Sequence, residues 1–204
     1  MVCLKVILDP LEWNARVSQQ PTLPLESINI IFSNIRNIAK LNTTLLEDID
    51  KTIDGKWSNP PGIGHIFSKL APFLGIYSVY CNAHDQAIQH IDVALKRHEL
   101  FSEHLCRCAE HPDFVNMQLE TLLIEPVQRI PRYILLLTDI LKVTPEENPD
   151  SKELDNALKQ ITTVAEKIDN AMLNIENTKE ILKVQRKITG EFEVLKLFFF
   201  SNFS

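Results

Sequence analysis

His104, Cys106, Cys108 and His111 crowd four residues of metal-ligating type into eight positions. On a helix, His104, Cys108 and His111 share one face and Cys106 points away. At most three ligands then converge, and a closed tetrahedral site is not completed. They read as helix-surface residues, and neither a metal nor another cofactor is expected. Gly62-x-Gly64 lacks the lysine and the flanking strand of a phosphate-cradling loop. Glu146-Glu147 lie in a proline-flanked, solvated loop, and no serine, histidine and carboxylate arrangement can be assembled from spacing. No catalytic residue is therefore expected, and the remaining chemistry is non-covalent contact. Gln128, Arg132, Leu135, Asp139 and Lys142 recur at spacings of four and three, which gathers them on one helical face. A large apolar side chain set in a polar row has the make-up of a small wet-rimmed contact patch.

The element that must carry this row is Ile124 to Thr144, IEPVQRIPRYILLLTDILKVT. Val127, Ile130, Ile134, Leu137 and Leu141 form its opposite, core-facing stripe. Pro131 falls inside the pattern and predicts a kink or a restart. Met1 to Leu11 reads as an apolar helical end broken at Asp9-Pro10, followed by a loop over Trp13 to Leu25. Ile28, Ile31, Phe32, Ile35 and Ile38 predict one amphipathic helix that continues through Leu41, Leu45, Leu46 and Ile49, with Asn34 and Asn42 as surface or cap residues. Gly55 to Gly64 is an exposed turn, and Ile63 to His84 a central helix in which Ile66, Phe67, Leu70, Phe73, Leu74, Tyr77 and Tyr80 are buried on more than one side. One or two further helices follow over Gln86 to Ala109. After a polar loop, Asp150-Ser151 offers a helix start. The seam Leu154, Leu158, Ile161, Ala165, Ile168, Met172 and Ile175 then predicts the longest helix, running towards Ile188.

At 204 residues, with 45% hydrophobic and 24% charged residues, the chain is sized for one domain plus at most an appendage. Five glycines leave little material for turns between strands, and an all-α chain fits. A net charge of −6 without a basic cluster argues against nucleic acid. Four cysteines without framework spacing, and no leader pattern, imply a reducing, cytoplasmic setting. Apolar runs such as Leu195 to Phe200 are too short to cross a bilayer.

The run PVQRIPRYILLLTDILKVTPEENPD resembles the third conserved region of Dbl-homology domains, exchange-factor modules for Rho-family GTPases. Ile63 to His84 is similar to their second region, Ile31 to Ile35 to the family's IFSNI-like helix, and Leu4 to Leu11 to the segment after their first region. The resemblance implies an elongated multi-helix bundle over residues 1–190 with an incomplete first helix, and a tail over 191–204 that is a truncated linker to a pleckstrin-homology domain. The family's contact glutamate would lie upstream of Met1, so a fragment, a misjudged gene start or a diverged member is expected. The implied partner is a Rho-family small GTPase, with a Rac-like preference read from Ile124, which stands where the family sorts GTPases. Arg132 occupies the basic position that contacts the switch regions, and Lys142 is likewise basic in the similar motif. Aligned through VAEKID, Asp169 stands where the family has a contacting asparagine, with Asn170 beside it, so an amide donor is replaced by an acceptor. A GTPase-binding face of Ile124, Gln128, Arg132, Leu135, Asp139, Lys142, Asp169 and Asn170 follows from the row and the resemblance together.

Overall fold

A computed structural model describes residues 4–53, 62–112 and 118–170. Among the described residues the regular elements are all helical: a wide π-helical turn Leu4–Leu8, α1 (Asp9–Val17), α2 (Leu25–Phe32), α3 (Ile35–Ile53), α4 (Ile63–Leu70), a 3₁₀ turn Ala71–Phe73, α5 (Ile76–Arg97), α6 (Glu99–Ala109), α7 (Leu119–Leu123) and α8 (Glu125–Val143). A last helix, α9, occupies 149–170. The chain divides into a compact unit over residues 1–168 and a second over 169–204. The expected tail and the seam positions Met172 and Ile175 lie outside the described residues.

In the first unit α5 is the hub, packed against α2, α3, α6 and α8. Its buried Tyr77, Tyr80, Cys81, Ala87, Ile91 and Ala94 recur at three, four and six residues and wrap it in core. Around it Leu8, Leu11, Leu23, Ile28, Ile31, Phe32, Phe101, Leu123 and Leu137 are sealed from solvent, so one apolar centre holds the unit.

Several expected boundaries differ. Asp9-Pro10 opens α1 instead of ending a helix, since proline is well tolerated in a first turn, and Trp13 to Val17 are helical. The helix expected from Ile28 to Ile49 divides at Ser33, whose φ of 45° and ψ of −134° no helix accepts. Asn34, expected at the surface, donates its amide to the Ile76 carbonyl at 2.9 Å, a bond available only once α5 lies alongside. The single central helix becomes α4 and α5, separated by the 3₁₀ turn that holds Pro72. Phe73, expected in the core, is exposed there. Through Pro131, by contrast, α8 runs without a restart, with the proline on its solvent side.

Gly62 and Gly64 are explained by close approach. Gly64 is buried, its backbone N–H donates to Asp150 Oδ2 at 2.9 Å, and a Cβ there would stand 2.4 Å from the Leu154 backbone nitrogen. A Cβ on Gly62 would fall 2.1 Å from the Asp150 carboxyl carbon. In the first turn of α4 the Gly64 amide does hold an anion, and it is the protein's own Asp150 carboxylate, which ties α9 to α4.

Candidate functional site

α8 starts at Glu125 with Pro126 in its first turn, where a missing N–H costs little. It buries Ile130, Tyr133 and Leu137, while Val127, Ile134 and Leu141 are half-buried. The core stripe is therefore turned towards Tyr133 relative to the apolar residues alone. A tyrosine beside such a stripe carries no sign of burial in its type. Its hydroxyl donates to Asn42 Oδ1 on α3 and accepts from Arg129 Nε at 3.0 Å. Its ring meets Phe67 edge to face at 5.3 Å and lies under the Arg129 guanidinium at 5.0 Å. Asn42, expected as a surface or cap residue, is half-buried and also donates to Tyr77 Oη at 2.8 Å. Burial pushes the Tyr77 hydroxyl up to about 12, with the Asn42 bond pulling the other way.

The opposite side of α8 is open. Gln128, Arg132, Leu135, Asp139 and Lys142 are all exposed. Arg132 donates through Nη1 to Glu125 Oε2 at 2.8 Å and through Nη2 to Gln128 Oε1 at 2.7 Å, which spreads its guanidinium flat along the helix. Lys142 Nζ reaches Asp139 Oδ1 at 3.1 Å. Both ion pairs are solvated, so each contributes at most about 1 kcal/mol to stability and both cations can be re-partnered. Leu135 is 65% exposed. Beside it Leu136, Ile140 and Val143 are also exposed, a second apolar strip that sequence reasoning missed, although its spacing of four and three was there to be read. Ile124, at the head of α8, is half-buried.

On α9, Leu154, Ala157, Ile161 and Ile168 are buried, with Leu158 and Ala165 half-buried, which places the seam as expected over this range. The face opposite carries Asp155 paired to Lys159, Thr162 bonded back to the Leu158 carbonyl, and exposed Glu166. Asp169 and Asn170 are exposed and belong to the second unit.

The histidine and cysteine cluster does other work. His104 is buried and its Nε2 donates to the Ile7 carbonyl at 3.1 Å, while the Cys108 thiol donates to the Val6 carbonyl at 3.5 Å. Both hold the π-helical turn on α6. Burial holds His104 below its ordinary value and pushes the Cys108 thiol up. Cys106 is exposed, and among the described residues no three histidines, cysteines or carboxylates are placed to share a metal.

The chain matches the family model described as "RhoGEF domain" over residues 1–169. It is 34% identical to FYVE, RhoGEF and PH domain-containing protein 3 of Mus musculus over 174 residues, which is 85% of this chain and 24% of that protein. It is likewise 34% identical to Guanine exchange factor for Rac 30 of Dictyostelium discoideum over 183 residues, 85% of this chain and 10% of that protein. The chain thus spans a quarter or less of these curated relatives. An apo structure of an activated truncation of Vav1 is similar with a TM-score of 0.76 and 25% identity, covering 90% of this chain and 44% of that one. The crystal structure of the DH domain of FARP2 is similar in fold, with a TM-score of 0.68 and 21% identity over 90% of this chain and 86% of that one.

Proposed function

This chain belongs to the RhoGEF domain family, and from that premise we propose that it is a guanine nucleotide exchange module for a Rho-family small GTPase, acting in the cytoplasm. The outer face of α8 binds the switch segments: Leu135 enters an apolar recess, Arg132 and Lys142 exchange their own carboxylates for those of the partner, and Gln128, Asp139 and Ile124 line the rim. Asp169 and Asn170, both exposed, are further candidate contact residues. The observation that carries this reading is Leu135, 65% exposed in the middle of a charged row on a helix that buries Ile130, Tyr133 and Leu137 on its other side.

No covalent chemistry is needed. A partner that binds the empty GTPase more tightly than the loaded one weakens nucleotide affinity by the same factor. A Rac-like GTPase is the preferred substrate, in line with the name of the Dictyostelium relative. A second reading, a scaffold domain that binds a GTPase or another protein without releasing nucleotide, is favoured by Asp169, because an ionised carboxylate accepts hydrogen bonds and donates none.

Release of labelled GDP from a panel of Rho-family proteins, Rac included, tests both. Accelerated release is expected, reduced about tenfold by Leu135→Ala and several-fold by Arg132→Ala, the range for a central apolar anchor and a charged neighbour. Binding without faster release selects the second reading. Acceleration that both variants leave intact rejects this face.

A further inference from the structure

From the solvent side of α8 inward, hydrogen-bond donors follow one another in a single direction. Arg129 Nε donates to Tyr133 Oη at 3.0 Å, the Tyr133 hydroxyl donates to Asn42 Oδ1, and Asn42 Nδ2 donates to Tyr77 Oη at 2.8 Å and to the Ile38 carbonyl at 2.7 Å. The direction is forced from both ends. A guanidinium can only donate, and a backbone carbonyl can only accept. With Nδ2 committed to Ile38, Asn42 can offer Tyr133 only its oxygen, so the tyrosine must donate inward and receive from Arg129. No reversed arrangement exists, and losing the Tyr133 hydroxyl takes the donor from the half-buried Asn42 Oδ1.

This chain ties α8 to α3 and, through Tyr77, to the hub helix α5. Ile130 and Leu137, and the Tyr133 ring against Phe67, hold the helix against the core by close packing, and the hydrogen bonds add a directional constraint on its rotation. Rotation is what aims the outer face. With side-chain tips about 5 Å from the axis, a turn of about 10° moves them by about 1 Å. Displacements of about 1 Å are enough to cost on the order of 100-fold where reacting groups must be held in place.

We propose that Asn42 and Tyr133 are positioning residues for nucleotide exchange: they fix the rotation of α8 and so the direction in which Gln128, Arg132, Leu135 and Lys142 meet the GTPase. This rests on the exchange function proposed above. Tyr133 is buried and Asn42 half-buried on another helix, with every polar hydrogen of its amide already used. Both therefore act through α8.

The test uses the full chain and Tyr133→Phe, which keeps the ring against Phe67 and under Arg129 and removes one hydroxyl. GDP release is followed well below the thermal midpoint, with Arg132→Ala and the double variant alongside. Expected are a loss of about tenfold for Tyr133→Phe and a combined loss smaller than the product of the single losses by more than about threefold, because independent sites would multiply to within about twofold. Unchanged exchange in Tyr133→Phe, or losses that multiply, overturns the proposal and leaves the tyrosine a packing residue. Should Tyr133→Phe fail to fold, Asn42→Leu is read by the same criteria. A wild-type chain that accelerates no GTPase refutes the exchange function itself, an outcome distinct from acceleration that the variants do not alter.

Discussion

His104 donates through Nε2 to the Ile7 carbonyl whether its ring is neutral or charged, so the hydrogen bond does not oppose protonation. The cost lies in the partial loss of hydration of the charged ring; desolvation is the leading cause of its lowered pKa. The unfolded chain, with an ordinary value near 6.5, then binds the proton more readily than the folded one. The contribution of His104 is accordingly complete above pH 6.5 and is lost as the pH falls from there towards the lower folded value, with a slope of at most about 1.4 kcal/mol per pH unit. Denaturant titrations between about pH 7.5 and 5.5 should show stability falling with acid, and His104→Gln should flatten that slope whatever it does to the stability at neutral pH. An unchanged slope would mean that the ring is solvated in the folded state. The cluster drew notice in the sequence because histidine and cysteine at helical spacing are ligand types. What they bind is a stretch of backbone about a hundred residues away in the chain, and spacing carries no trace of that.

Helices were legible wherever burial repeats with the helical period, and their ends were not wherever a distant partner decides them. The seam Leu154 to Ile168 and the outer row of α8 follow directly from spacings of three and four. The break at Ser33 goes with a distant partner, since the neighbouring Asn34 reaches the Ile76 carbonyl, whereas the interruption at Ala71–Phe73 falls where Pro72 stands. Glycines make the same point by contrast. Gly64 has α9 backbone where its Cβ would be, 2.4 Å from the Leu154 nitrogen and 2.6 Å from the Glu153 carbonyl carbon, and helix backbone cannot step aside as a side chain can. Gly64→Ala should therefore destabilise by about 2 kcal/mol or more, as overpacking a tight helix crossing does. Gly75 stands before α5 with helical φ and ψ of −55° and −22°, and a Cβ there would meet nothing within 4 Å. Gly75→Ala should stabilise by about 0.5–1 kcal/mol through a less flexible unfolded chain. Thermal midpoints of the two variants, moving in opposite directions, check both; a neutral Gly64→Ala would show that α4 and α9 are free to separate.

Across the whole molecule, net charge and docking chemistry do not coincide. The chain carries −6, yet the row that faces outward on α8 is balanced locally, with Arg132 set against Glu125 and Lys142 against Asp139. A field of that kind has little reach beyond one Debye length, about 10 Å at 0.1 M salt. Steered association, by contrast, needs a surface of one sign and speeds encounter by roughly 10- to 1,000-fold at low salt. If the GTPase docks on this row, affinity resides in Leu135 and in re-partnered short-range contacts, and encounter is nearly unsteered. Stopped-flow association with the GTPase should then change by less than about threefold between roughly 50 and 300 mM salt, while Leu135→Ala acts mainly on dissociation. A steep fall of the association rate with salt would place the first contact on a charged surface elsewhere in the chain. Weak salt dependence with a dissociation rate that Leu135→Ala leaves untouched would remove this leucine from the interface while keeping the helix in it.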